Sequence, residues 1–183
     1  ELALSVVLLI GAGLLIRSFA RLLDVPPGFD PRGVLTFELT MTGRKYAKPE
    51  LVLNAYRDLW RRLDAIPGVS ASGGVSSLPL SNYFSWGPIT VEGRAPQPGE
   101  AFLNADERIA AGRYFESMRI SLLRGRLFTE QDVTANPRVI VIDDFMAQQL
   151  WPGQDPIGKR IRTGGAKSED PWLTVVGVVR RVK

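Results

Sequence analysis

From Leu2 to Ile16 the chain runs LALSVVLLIGAGLLI, without a charge and with Ser5 as its one polar side chain. Fifteen residues in a helix span roughly 22 Å at 1.5 Å per residue. A bilayer core asks for about 30 Å, or roughly 20 residues. The shortfall lies at the start of the chain, so the pattern predicts the closing part of a transmembrane helix whose first turns lie upstream. A buried core helix would carry a polar stripe at helical spacing, and none is present. A secretory signal would be followed by a small-x-small cleavage site, whereas RSFARLL follows here. Arg17 and Arg21 close the segment, and the positive-inside rule would place what comes after them in the cytoplasm.

The pattern then changes. DVPPGFDPRG, residues 24–33, is dense in Pro and Gly and predicts a stiff connector. VLTFELTM alternates, with Leu35, Phe37, Leu39 and Met41 on one side and Thr36, Glu38 and Thr40 on the other, which predicts a strand with one buried face. Pro49 suits the first turn of a helix. Behind it Leu51, Val52, Ala55, Tyr56, Leu59, Trp60, Leu63 and Ile66 recur at helical spacing, with Arg57, Asp58, Arg61, Arg62 and Asp64 opposite, and Pro67-Gly68 ends the run. At i, i+4 on the apolar face, Tyr56 and Trp60 are expected in a core. Val69–Ser81 predicts a return strand weakened by its Gly pair. ITVEG is a short strand leading into a Pro-rich loop, and AFLNADERIA is expected to pair with it. YFESMRI predicts a short helix, and LLRGRLFTEQD a turn with Thr129 as a cap. RVIVID predicts a buried strand, DFMAQQLW a helix that Asp144 would cap, and WLTVVGVV a strand buried on both faces. Adjacent strand pairs mixed irregularly with helices predict an α+β fold.

Composition narrows the chemistry. The chain has no His and no Cys, which removes Ser-His-Asp and Cys-His nucleophiles, thiolate chemistry and almost every zinc or copper site. Its net charge of +4 comes from 23 basic and 19 acidic residues. The basic residues are spread along the chain rather than gathered on one strip, which argues against nucleic acid as a partner.

One stretch imitates a nucleotide site. WPGQDPIGKR, residues 151–160, contains Gly153-x-x-x-x-Gly158-Lys159, the spacing of a phosphate-binding loop. Such a loop follows a buried strand, opens a helix, and places Ser or Thr on a metal ion. Here a helix precedes it, RIRTGG follows it, Arg160 replaces the hydroxyl, Pro156 offers no N–H, and Asp155 opposes phosphate. It reads instead as a helix-to-strand connector whose Trp151 and Ile157 pack inward, with Lys159 and Arg160 as surface charge. Among carboxylates, Asp143 and Asp144 could suggest a metal pair, but adjacent residues at a strand-to-helix junction diverge. Glu130 with Asp132, and Glu169 with Asp170, sit in loops. An exported carboxylate-dependent enzyme is the weakest of the functional readings. The residues support no catalytic, cofactor-binding or metal site and no cofactor.

The order of GAGLLIRSF, PGFDP, IPGV, LPL, EGR, YFESMRISLLRGRLFTEQD, VIVIDDFMAQQLWPGQDPIGKRIR and WLTVVGVV resembles the MacB-like periplasmic core domain of FtsX-type ABC transporter permeases, in particular the orphan-permease branch of acidobacteria and similar bacteria. The resemblance covers essentially the whole chain. It implies an N-terminal fragment of such a permease: a transmembrane helix end at 1–23, then a two-lobed mixed α/β extracytoplasmic domain, 24–183, incomplete at its C-terminus. One lobe would comprise 34–81 plus 172–183, and the other would be inserted at about 89–162. It further implies a non-catalytic subunit in the bacterial inner (cell) membrane. That subunit would work in efflux or extracytoplasmic release with an ABC ATPase subunit, a second permease copy and a periplasmic adaptor. The alternative it implies is a regulatory or scaffold ectodomain activating a cell-wall hydrolase. An outward-facing domain opposes the orientation suggested by Arg17 and Arg21.

Overall fold

The computed structural model describes residues 2–23, 25–81, 85–94, 103–133 and 137–182. In chain order these form helix α1 (Leu2–Leu23), helix α2 (Pro49–Asp64), and strands β1 (Gly73–Val75), β2 (Trp86–Val91), β3 (Asn104–Asp106) and β4 (Ala110–Gly112). Helix α3 (Tyr114–Ser117), strands β5 (Leu122–Gly125) and β6 (Arg138–Asp143), helix α4 (Asp144–Leu150), and strands β7 (Arg160–Thr163) and β8 (Leu173–Val179) complete it. The Pro-rich stretch 95–100, read as a loop, and residues 101–102 of the strand expected beside ITVEG lie outside the described residues.

Helix α1 continues through both arginines. Its 22 residues give a length of about 33 Å, enough for a bilayer core. Leu2–Arg21 has a mean hydropathy of 2.2 and none of its residues is buried.

The main body is a six-stranded mixed sheet in the order β3-β2-β7-β8-β5, with β6 parallel to β8 along its other edge. The remaining pairs are antiparallel. The Val-rich β8 lies at the centre, as its continuous apolar run predicts, and Val175 is fully shielded from solvent. Helix α4 covers this sheet with Leu150 and the adjoining Trp151, which pack on Val91, Ile142, Ile161, Val175 and Val178. A second cluster holds Tyr114, Met118, Ile120 and Val179, with Phe29, Val34 and Val182 against it. A separate two-stranded sheet pairs β1 with β4. Over it lies the indole of Trp60, close enough that a Cβ on Gly74 would sit 3.0 Å from the ring.

Four expectations need correction. Residues 35–41 do not form a strand: they are unpaired, and Leu35 is 88% exposed. Alternation creates two faces, but a strand also needs a neighbour to accept its N–H groups, and no described segment runs alongside. The apolar face of α2 is only partly covered: none of its residues is buried, and Tyr56 and Trp60 stack on each other at 5.9 Å, half-buried rather than in a core. LLRG is a strand, β5, not part of a turn, because β8 offers it an edge. Asp143, not Asp144, caps α4, accepting the Met146 N–H at 2.7 Å. The C-terminal strand β8 is hydrogen bonded in the same sheet as β5, β6 and β7.

Candidate functional site

Helix α1 joins the rest of the chain through a proline-rich junction docked on the domain. Pro26 and Pro27 restrict the backbone, and Gly28 follows at φ +89°. A side chain there would run into the Arg181 carbonyl oxygen, so only glycine lets the connector lie against the chain after β8. Phe29 then inserts beside Met118, Ile120 and Val179. Asp30 fastens the junction. Its N–H donates to the Met118 carbonyl at 3.0 Å. Its carboxylate accepts from the Arg32 backbone N–H at 3.0 Å, from Nε at 2.9 Å and from Nη2 at 2.8 Å. Arg119 lies 3.4 Å from the same carboxylate and donates to the Arg32 carbonyl at 2.8 Å. The Arg32 side chain, first, and its N–H hold the Asp30 carboxyl well below the usual carboxylate range. Local pattern read 24–33 as a connector. It carried no sign of the docking, whose partners lie about 90 and 150 residues later.

The acidic candidates separate. Asp143 and Asp144 both reach Arg181, at different atoms: Asp144 accepts its backbone N–H at 3.0 Å, while Asp143 caps α4 with Arg181 Nε 3.9 Å away. Glu130 pairs with Arg57 of α2 at 3.0 Å. Asp132 takes a forked hydrogen bond from Arg126 at 2.7 and 2.8 Å and accepts the Thr129 N–H at 2.7 Å. Thr129 donates its hydroxyl to this carboxylate rather than capping a helix. Asp170 accepts the Thr163 hydroxyl at 3.2 Å, and Glu169 is exposed. No group of three or more acidic side chains suited to a metal ion occurs among the described residues.

Burial lifts the Asp143 carboxyl above its ordinary value of 3.8; the Met146 N–H and Arg181 pull it down in part, and Asp144 adds to the rise. A raised folded value means that the stability gained by protonation is complete below 3.8 and is lost as pH climbs through the folded value. Asp143→Asn keeps the capping oxygen and removes the buried charge. Urea unfolding across a pH series should therefore show the decline above that value flattened. Asp143→Ala should instead lose about 1 kcal/mol with the cap.

Residues 151–160 form the expected connector. Trp151 is buried, Pro156 is buried, and Ile157 packs on the main core. The N–H groups that a phosphate would need are already engaged: Gln154 with the Trp151 carbonyl, Ile157 with the Asp155 carboxylate, Gly158 with the Val175 carbonyl, and Lys159 with the Pro156 carbonyl. Arg160 is more than surface charge. It pairs with Glu92 across β2 and β7 and lies 5.9 Å from the Trp172 ring centre.

A broad cleft of roughly 2030 Å³, open to solvent, runs between α2 with the β1–β4 sheet on one side and the large sheet on the other. Its rim carries Leu80, Trp86 and Ile109, all largely exposed. Arg108 fixes this rim: it pairs with Asp106 at 2.8 Å and donates to the carbonyls of Ser77 and Leu78 at 2.8 and 2.9 Å.

Comparison with known proteins finds the family described as MacB-like periplasmic core domain matching residues 2–183. The macrolide export ATP-binding/permease protein MacB of Neisseria gonorrhoeae is 38% identical over 69 residues, covering 38% of this chain and 10% of that protein. The probable syringafactin export ATP-binding/permease protein SyfD of Pseudomonas syringae pv. tomato is 36% identical over 69 residues, covering 37% of this chain and 10% of its own length. The chain thus spans about a tenth of the curated relatives it matches. Among solved structures, the periplasmic region of MacB from Actinobacillus actinomycetemcomitans is 20% identical with a TM-score of 0.46, covering 68% of this chain and 50% of that one. The extracellular domain of the noncanonic ABC-type transporter YknZ from Gram-positive bacteria is also 20% identical, at a TM-score of 0.41, covering 68% and 56%.

Proposed function

The chain belongs to the MacB-like periplasmic core domain family, and from that premise we propose that it is part of a non-catalytic permease subunit of an ABC-type efflux or extracytoplasmic-release system. Helix α1 would be the end of a transmembrane helix in the bacterial inner membrane, and residues 24–183 would stand outside. An ATPase subunit on the cytoplasmic side would supply the motion. The permease would carry it through α1 to the domain, acting with a second copy and a periplasmic adaptor. The observation that carries this reading is the docked junction: Pro26-Pro27, Gly28 seated on Arg181, and the Asp30–Arg32–Arg119 lock. A tether that merely anchors a domain needs no such rigidity, because flexible linkers hold domains equally well. The open cleft with its apolar rim is where the moving domain would engage a substrate or a partner already outside the membrane.

Orientation and partner can be tested together on the intact protein. These 183 residues contain no cysteine, so a Ser121→Cys in the exposed base, with any cysteine elsewhere in the intact protein replaced by serine, reports topology. A membrane-impermeant maleimide should label it in intact spheroplasts, and an ABC ATPase should co-purify from solubilised membranes. Labelling only after lysis would reverse the orientation. Co-purification with a cell-wall hydrolase in place of an adaptor would favour a regulatory ectodomain.

A further inference from the structure

Arg17 and Arg21 sit on one face of the last turns of α1, exposed and without an ion-pair partner among the described residues. Residues 24–28 are all that separate Leu23 from Phe29, which is fixed in the second apolar cluster. Even fully extended, that stretch covers roughly 20 Å. Whatever lies at the docking point of the connector is therefore held beside the end of α1.

That docking point is basic. Arg32 and Arg119 flank Asp30 and share its single negative charge. Arg180 donates its N–H to the Ser121 carbonyl at 2.9 Å, two residues from Arg119, and its exposed side chain has no ion-pair partner among the described residues. Arg181 packs 4.1 Å from the Phe145 ring centre. Four arginines, Arg32, Arg119, Arg180 and Arg181, meet three carboxylates at this end of the domain, Asp30, Asp143 and Asp144, and Arg17 and Arg21 precede it along the chain, with Asp24 between them and the domain. Three of the cations, Arg17, Arg21 and Arg180, are left facing solvent.

We infer that the end of α1 and the base of the domain form a basic collar that binds the anionic headgroups of the membrane surface from which the domain rises. The inference requires only that α1 is inserted in the bilayer. It accounts for two arginines that the positive-inside rule would place in the cytoplasm: on the outer face they meet phosphodiester headgroups instead. Each basic residue near an anionic surface raises affinity by about fivefold, within a Debye length of about 8–10 Å. Tied to the end of α1 by a connector of at most roughly 20 Å, the collar sets the tilt of the domain over the membrane according to lipid charge.

The test uses the full chain carrying Ser121→Cys labelled with an environment-sensitive dye, reconstituted in vesicles of phosphatidylcholine alone or with about 30 mol% phosphatidylglycerol. Quenching of the dye by brominated lipid should rise about twofold with phosphatidylglycerol. It should fall back in about 0.5 M NaCl. Added inorganic phosphate should not reproduce the effect of the lipid. The R17Q/R21Q/R180Q variant should lose the lipid dependence, and R17K/R21K/R180K should keep it, since charge rather than guanidinium geometry is at work. Equal quenching in both vesicles, lipid dependence retained by the glutamine variant, or a chain stripped from the vesicles by carbonate would each overturn the inference.

Discussion

Replacing Trp151 by alanine is expected to destabilise the domain by about 3–5 kcal/mol. The side chain is 7% exposed and packs in the cluster shared by α4, β7 and β8. Its removal leaves a cavity that the surrounding β-branched residues are too stiff to fill. Trp151 also ends α4: its N–H bonds to the Ala147 carbonyl at 3.0 Å, and its carbonyl accepts the Gln154 N–H at 3.1 Å. Those backbone bonds survive the substitution, so the loss should come from packing. Trp86 is the control, being 67% exposed on the cleft rim; Trp86→Ala should change stability by less than about 0.5 kcal/mol. Thermal melts of the two variants should differ by on the order of 10 °C. A Trp151→Ala protein that melts with the wild type would remove the main core from where it is placed here.

The contrast between these two tryptophans shows what local pattern can and cannot reveal. Trp151 follows a short helix and precedes Pro-Gly, so its inward position is legible from the chain alone. The central strand β8 was legible for the same kind of reason: WLTVVGVV has no polar alternation, and only burial on both faces accommodates that. Leu35–Met41 failed because alternation reports faces and not partners. Four apolar residues on one side predict a buried face only if something covers it. Strand β5 failed in the opposite sense, since LLRG carries no alternation and becomes a strand because β8 presents an open edge. Non-local bonds also explain the missed junction. Asp30 lies in a motif that looks like an ordinary Asp-Pro turn, and nothing near it announces Met118, Arg119 or Arg181. In the apparent phosphate loop, the N–H groups of Gln154, Ile157, Gly158 and Lys159 bond to the protein itself.

Inserting about six Gly/Ser residues between Pro27 and Gly28 is expected to reduce export or release by the intact transporter at least about tenfold, if the junction carries motion as proposed. The magnitudes decide this. Helix shifts that drive switching are typically about 1–2 Å. A flexible insert of six residues has a root-mean-square span of roughly 13 Å, so the displacement vanishes in its slack. Binding of the ATPase and the melting temperature of the domain should stay as in the wild type, because the insert precedes the Gly28 and Asp30 contacts. Gly28→Val attacks the same step differently: it forces a β-branched residue into φ +89° against the Arg181 carbonyl. It should undock the connector and lower both transport and the protection of the Asp30 amide from hydrogen exchange. Full transport with the Gly/Ser insert would mean that the domain is anchored rather than driven by α1. In that case the arginine lock around Asp30 would serve stability alone.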